Sequence, residues 1–135
     1  IMVGGGAVNF HGYQRHSADV DFWIDTRIEN LNNLRSVFWE MGYDLSDFPK
    51  DVKAQNQNIS IKFSPLDLDI ELITRFNIGK SFEEVYSQSI VAEVNKPPLL
   101  RWRVLNLQDL ITSKIKAARP KDLLDIQQLK EIHKH

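Results

Sequence analysis

Two aspartates, Asp19 and Asp21, alternate with apolar residues at positions 19–24 and are the first candidates for chemistry in this sequence. Such alternation predicts a β-strand, and residues two apart on a strand project from the same face, ~6.5–7 Å apart. Two carboxylates held side by side repel each other unless a cation lies between them. Because oxygen ligands without cysteine favour hard cations, we predict that this pair binds Mg²⁺ or Mn²⁺.

A second run of alternating acids lies at residues 66–73, where Asp67, Asp69 and Glu71 alternate with leucine and isoleucine. If this segment packs antiparallel beside the first strand, it brings a third carboxylate to the aspartate pair. Three carboxylates can hold two divalent ions about 3.5–4 Å apart, the arrangement used for in-line phosphoryl transfer. Alternating acids also occur on exposed hairpins, so a solvated strand face is the alternative interpretation.

A glycine turn, Gly4-Gly5-Gly6, follows a short apolar strand at residues 1–3. Glycine lets the backbone approach a ligand closely, and the free amides at the start of a following helix attract an anion. The turn alone is weak evidence. Combined with an Asp-x-Asp pair that follows Gly5 after 13 intervening residues, it predicts a phosphate-binding turn beside a metal site.

The length and charge of the chain limit the fold and the partners that are plausible. The 135 residues suit one domain over residues 1–135, and the net charge of −1 does not predict general affinity for nucleic acid or membranes. No apolar run approaches the ~18 residues of a membrane span, so we expect no membrane partner, and the absence of cysteine fits a cytoplasmic protein. Since a domain seldom begins within a strand, we expect an additional N-terminal helix before Ile1.

Strands interleaved with helices predict an α/β or α+β fold, a mixed sheet flanked by helices. Capping boxes at Thr26 with Glu29 and at Ser81 with Glu84 mark two helix starts. Among the strands, those at 59–63 and 66–73 are expected to form an antiparallel hairpin. Further helices are expected at 7–12, 107–118 and from Pro120 onward, further strands at 90–94 and 99–105, and core positions at Trp23, Phe38 and Trp39.

The order and spacing of these motifs resemble the DNA polymerase β-like nucleotidyltransferase superfamily, and in particular its small prokaryotic members associated with toxin–antitoxin pairs. The resemblance extends over essentially the whole chain. Its specific parts are Val3-Gly4-Gly5 followed after 13 residues by Asp19-Val20-Asp21-Phe22, Arg15-x-Ser17-x-Asp19, Leu107-Gln-Asp-Leu-Ile-Thr-Ser-Lys114 and Arg119-Pro-Lys-Asp122-Leu-Leu-Asp125.

The resemblance implies roles for individual residues. Asp19 and Asp21 would bind the metal, and a third acid in an apolar–acid–apolar context would join them. Asp69 and Glu71 both satisfy that context, and the Leu-Ile-Thr that follows favours Glu71. The triphosphate of an NTP would be bound by Gly4 and Gly5 of the glycine turn. Further candidate contacts are Arg15, Ser17 and Lys114.

The implied activity is transfer of a nucleoside monophosphate from an NTP to a hydroxyl of a protein, an RNA or a small molecule. Two other hypotheses stay open: a toxin–antitoxin protein with weak or lost catalysis that acts by binding a partner protein, and a nucleotide-binding domain without transfer. Individual side chains also have plainer interpretations. Arg15 could be a counter-ion of Asp19, Lys114 a surface charge, and His11 a packed residue instead of a general base.

Overall fold

The computed structural model describes residues 1–14, 19–44, 60–63, 69–97 and 99–134. Within these ranges the chain forms a six-stranded mixed sheet and five helices, which confirms the predicted α/β fold. The strands are β1 (Met2–Val3), β2 (Asp19–Trp23), β3 (Ser60–Phe63), β4 (Asp69–Ile73), β5 (Ile90–Val94) and β6 (Leu100–Val104). The helices are α1 (Gly4–Phe10), α2 (Ile28–Glu40), α3 (Phe82–Gln88), α4 (Leu107–Ala117) and α5 (Pro120–Ile132).

The strand order across the sheet is β3-β4-β2-β1-β6-β5. Strands β3 and β4 pair antiparallel, as predicted, but the predicted antiparallel packing of β4 beside β2 is wrong, because these two strands run parallel. The reason is the position of the hairpin. The second strand of the hairpin, β4, is the one that lies beside β2. Strand β3 runs opposite to β2, and the chain reverses between β3 and β4, so β4 runs in the same direction as β2. The parallel register aligns Asp19 with Asp69 and Asp21 with Glu71.

Local sequence explains where two of the helices begin. The predicted box at Ser81 and Glu84 is confirmed, since each side chain accepts a hydrogen bond from the backbone amide of the other residue. The predicted box at Thr26 is wrong. Helix α2 has Arg27 as its N-cap without a side-chain cap, and the Asp25 carboxylate accepts the Arg27 amide instead.

Helix α1 connects the glycine turn to the core. It begins directly at Gly4, earlier than the predicted start at residue 7, and packs against β1, β2 and α4. Its buried residues Ala7 and Val8 join the main core cluster, which also contains Val3, Trp23, Val104, Leu105, Leu110 and Leu129. The strand that precedes the turn and the strand that carries the aspartates are therefore fixed by one packed helix.

The aromatic residues of α2 divide between core and solvent. Phe38 is buried, as predicted, but the prediction that Trp39 is a core residue is wrong, because 71% of its surface is exposed. Consecutive residues on a helix point about 100° apart, so the two rings cannot share one face.

Among the described residues, no helix is both long and apolar enough to cross a membrane.

Candidate active site

Three carboxylates from two neighbouring strands converge at one place in the sheet. Asp19 and Asp21 lie on β2 and Glu71 on β4, and one oxygen from each lies within 4.8 Å of the others. The parallel register produces this group because it sets Glu71 directly beside Asp21. Among the described residues, no hydrogen-bond partner contacts the buried Oδ1 of Asp21. Hard oxygen donors with one buried unpaired oxygen fit a divalent cation such as Mg²⁺.

The electrostatics of the group also favour a cation. Burial raises the pKa of Asp21, the negative charges of Glu71 and Asp19 raise this pKa further, and so does a hydrogen bond with Glu71. The positive charge of Lys114 acts in the opposite direction. Without a metal, the site therefore disfavours the ionised form of Asp21 relative to a free aspartate, and a bound cation would offset the repulsion among the three carboxylates.

The glycine turn touches this group directly. Gly4 has φ +63°, and a Cβ built on it would lie 2.7 Å from the Asp21 Oδ2 atom, closer than a real Cβ comes to any neighbour. Only glycine fits both the backbone conformation and the space. Gly4, the buried Gly5 and Gly6 form the first turn of α1, and its N-cap residue Val3 supplies no side-chain acceptor for their amides. No cap side chain therefore accepts from these backbone donors, which lie beside the Asp21 carboxylate.

A second charged cluster lies between α4 and α5. Lys114 is buried, and its Nζ lies 3.2 Å from Asp122 Oδ1 and 3.1 Å from Asp125 Oδ2. Arg119 adds a contact of 2.6 Å from its Nε to Asp122 Oδ2. Burial alone would raise the pKa of Asp122, but the hydrogen bonds from Arg119 and Lys114 outweigh it and lower this pKa to about 2.

The position of Lys114 corrects its plainer interpretation. The side chain is buried, with 4% of its surface exposed, so the surface-charge interpretation is wrong. Its Nζ lies between two buried aspartates, and its positive charge opposes the rise in the pKa of Asp21. Its role as a triphosphate contact stays a prediction.

Sequence reasoning missed Asp122 and Asp125 as partners of Lys114. Both belong to the C-terminal motif, but acids stabilise the N-terminal turn of a helix, so stabilisation of their own helix was a sufficient explanation for them. The signal was the helical spacing: Asp122 and Asp125 share one face of α5 with the buried Ile126 and Leu129. Acids at core positions of an amphipathic helix require buried partners.

The other predicted residues divide into three groups. Asp69 is exposed and does not belong to the carboxylate group, so the geometry distinguishes it from Glu71. His11 is buried, and its Nε2 lies 2.7 Å from the carbonyl oxygen of Leu105, so it is a packed side chain. The predicted residues Asp67, Arg15 and Ser17 lie outside the described residues.

The structure thus combines a mixed sheet, a glycine turn against an Asp-x-Asp pair, and a third acid from the neighbouring strand, which is the arrangement expected from the nucleotidyltransferase resemblance. Comparison with protein families agrees. The chain belongs to the family of the nucleotidyl transferase AbiEii toxin, type IV toxin–antitoxin system, whose family model matches residues 1–135. This membership confirms the predicted nucleotidyltransferase relationship and the association with toxin–antitoxin systems. Comparisons with curated proteins and with solved structures gave no match.

Proposed function

We propose that this protein transfers a nucleoside monophosphate from an NTP to an acceptor hydroxyl and releases pyrophosphate. The observation that supports the proposal is the complete carboxylate group of Asp19, Asp21 and Glu71, placed against the glycine turn at Gly4. A family of nucleotidyltransferases supplies the reaction class, and the three acids are the ligands that such a reaction requires.

The three carboxylates would hold Mg²⁺ or Mn²⁺, which supplies Lewis-acid activation and neutralises charge in phosphoryl transfer. Asp21 contributes an oxygen that is buried and unpaired among the described residues. The amides of Gly4 and Gly5 would donate to phosphate oxygens of the NTP, next to the carboxylates that carry the metal. This arrangement would hold the triphosphate at a fixed position relative to the acceptor, and positioning is a large part of catalysis in phosphoryl transfer.

Lys114 would supply a cation on the nucleotide side of the site. An ammonium group has three N–H donors, and the contacts with Asp122 and Asp125 occupy two of them. One donor is left for a phosphate oxygen. The two aspartates would thus hold the ammonium in place, so that little side-chain entropy is lost on nucleotide binding. Arg15 and Ser17 stay proposed contacts on the basis of their motif positions.

The acceptor is proposed as a hydroxyl on a protein, an RNA or a small molecule, in a cytoplasmic protein that acts together with a toxin–antitoxin partner. The complete carboxylate group supports catalysis over the alternative of an inactive protein that acts by binding. Family membership favours a toxic activity in the host, since the family is one of toxins.

The direct test is incubation of the purified protein with each α-³²P-labelled NTP, Mg²⁺ or Mn²⁺, and a cell lysate. We expect label in macromolecular or small-molecule products, identified by whether ribonuclease or protease releases it. The Asp19→Asn/Asp21→Asn double variant is the control and should transfer none. Absence of labelled product from all four NTPs, with metal binding intact, would contradict the proposal.

The binding alternative has its own test in cells. Wild-type protein and the double variant are expressed under one promoter, and growth is measured with and without the gene encoded beside it. Loss of toxicity in the double variant supports the transfer reaction. A double variant that stays fully toxic, or that is neutralised by the adjacent protein as the wild type is, supports action by binding.

A further inference from the structure

The third carboxylate lies on β4, next to the strand at the edge of the sheet. In the antiparallel register of β3 and β4, Lys62 is opposite Glu71 and Ser60 is opposite Ile73. Residues opposite each other in a register share a face of the sheet, and so do residues two apart on one strand. Ser60 and Lys62 therefore project from the same face as Glu71, one directly across and one on the diagonal.

Glu71 is hydrogen-bonded to its diagonal neighbour, Ser60. The Ser60 hydroxyl donates a hydrogen bond to Glu71 Oε1, and one oxygen of the Glu71 carboxylate lies within 4.8 Å of an Asp21 oxygen. The carboxylate is thus held between a serine on the edge strand and an aspartate of the metal site. Within the described part of the chain, no ion pair joins Lys62 to Glu71, although the register places them across from each other.

The two neighbours on β3 compete for the same carboxylate. Opposite charges directly across a strand pair attract, so Lys62 would draw Glu71 toward the sheet edge. The hydroxyl of Ser60 satisfies one carboxylate oxygen of Glu71 without adding a charge, and a carboxylate has further acceptor sites for a metal ion. Hydrogen bonds to metal-binding carboxylates fix their orientation and strengthen metal binding.

We propose that Ser60 is a positioning residue, which orients Glu71 as the third metal-binding carboxylate and prevents it from pairing with Lys62. The inference rests on the proposed function, because it assigns Glu71 to the metal. It adds the edge strand β3 to the active site. Neither the aspartate motif nor the glycine turn includes this strand.

The test compares Ser60→Thr with Ser60→Val in the full chain. Threonine and valine have nearly the same shape and both favour strands, so the pair differs in the hydroxyl alone. Binding of Mn²⁺ is measured by electron paramagnetic resonance without nucleotide, so that no acceptor is needed. We expect Ser60→Val to weaken binding about tenfold and Ser60→Thr to bind as the wild type does. Adding Lys62→Gln to Ser60→Val should recover part of the loss, which a general effect on folding would not do.

The Asp21→Asn variant distinguishes failure of the Ser60 inference from failure of the proposed function. If Mn²⁺ binding is lost in Asp21→Asn, and the valine and threonine variants bind equally well, Ser60 does not position Glu71 and the inference is wrong, while the proposed function stands. If the wild type binds no Mn²⁺, or Asp21→Asn binds as well as the wild type, both fail. Loss in Asp21→Asn together with weaker binding in Ser60→Val than in Ser60→Thr supports both.

Discussion

Gly4 and Asp21 are packed so closely that a single methyl group on Gly4 would lie 2.7 Å from the Asp21 Oδ2 atom. The two residues belong to motifs that are far apart in sequence, the glycine turn and the aspartate pair. Pairing of β1 with β2, which sets Val3 opposite Asp21, brings them together. The glycine turn and the carboxylate group are therefore in direct contact, so we expect a side chain at Gly4 to displace the Asp21 carboxylate.

The first prediction concerns Gly4→Ala. The substitution introduces strain at φ +63° and forces the Asp21 carboxylate to move, so we expect loss of Mn²⁺ binding and of transfer. Gly42→Ala is the matched control. It has φ +90° with nothing within 4 Å of an added Cβ, so it should lower the free energy of unfolding by about 1–2 kcal/mol and leave metal binding unchanged. Equal metal affinity in the two variants would contradict the close contact.

The second prediction distinguishes the two acids of β4. Glu71→Gln should abolish transfer because the variant lacks the third carboxylate of the group. Asp69→Asn changes an exposed acid two residues away and should retain most of the activity. Initial rates at saturating Mg²⁺ measure the difference. A larger loss in Asp69→Asn than in Glu71→Gln would assign the third carboxylate to Asp69.

The third prediction is a conflict between stability and activity at Asp21. Its pKa is raised by burial and by two neighbouring carboxylates, so at neutral pH and without metal the ionised form destabilises the fold. Asp21→Asn should therefore raise the melting temperature in EDTA by a few degrees and abolish transfer. Mg²⁺ should raise the melting temperature of the wild type and leave that of the variant unchanged. A variant that melts below the wild type in EDTA would contradict this account.

The fourth prediction concerns the buried ion cluster. Lys114→Met would leave the carboxylates of Asp122 and Asp125 buried with one cation fewer, and we expect a loss of about 3–5 kcal/mol in the free energy of unfolding, measured with urea. Lys121→Met, on the exposed first turn of α5, serves as the control and should change stability little. Similar stability of the two variants would mean that the cluster contributes little.

The fifth prediction is a pH dependence of stability that comes from His11. Burial lowers the pKa of His11 below 6.5 and the charge of His133 lowers it further, although the hydrogen bond with Leu105 raises it. Because the folded pKa lies below the unfolded one, the contribution of His11 is complete above pH 6.5 and is lost as the pH falls from 6.5 through the lowered pKa.

His11→Gln tests this dependence, since its amide can still donate to the Leu105 carbonyl oxygen but cannot titrate. Urea unfolding between pH 7.5 and 5 should show a decline for the wild type that is shallower in the variant. Parallel curves would show that another group causes the decline.

Local patterns in the sequence were sufficient to predict part of this structure. Alternation identified the strands that carry Asp19, Asp21 and Glu71, and the capping box at Ser81 marked the start of α3. These signals need only a few consecutive residues, because strand faces and helix caps are determined by neighbours in the chain. The two motif segments therefore predicted the aspartate pair and the glycine turn that lies against it.

Relationships between distant segments were harder to predict. The relative direction of β2 and β4 depends on which strand of the hairpin joins the sheet, and no local pattern specifies it. The burial of Lys114 depends on Asp122 and Asp125 of the next helix, α5. The sequence of α4 alone does not indicate these partners. The cytoplasmic location and the roles of Arg15 and Ser17 stay predictions.

The parallel pairing of β2 with β4 also determines when the active site can form during folding. A parallel pair requires a crossover connection, and here the site joins Asp21 to Glu71 across a loop of 49 intervening residues. Closing such a loop costs entropy before any contact repays it, and non-local pairings form slowly. A ribosome-bound chain that has not yet released β4 lacks the third carboxylate. The carboxylate group of Asp19, Asp21 and Glu71 therefore cannot assemble until β4 has been synthesised.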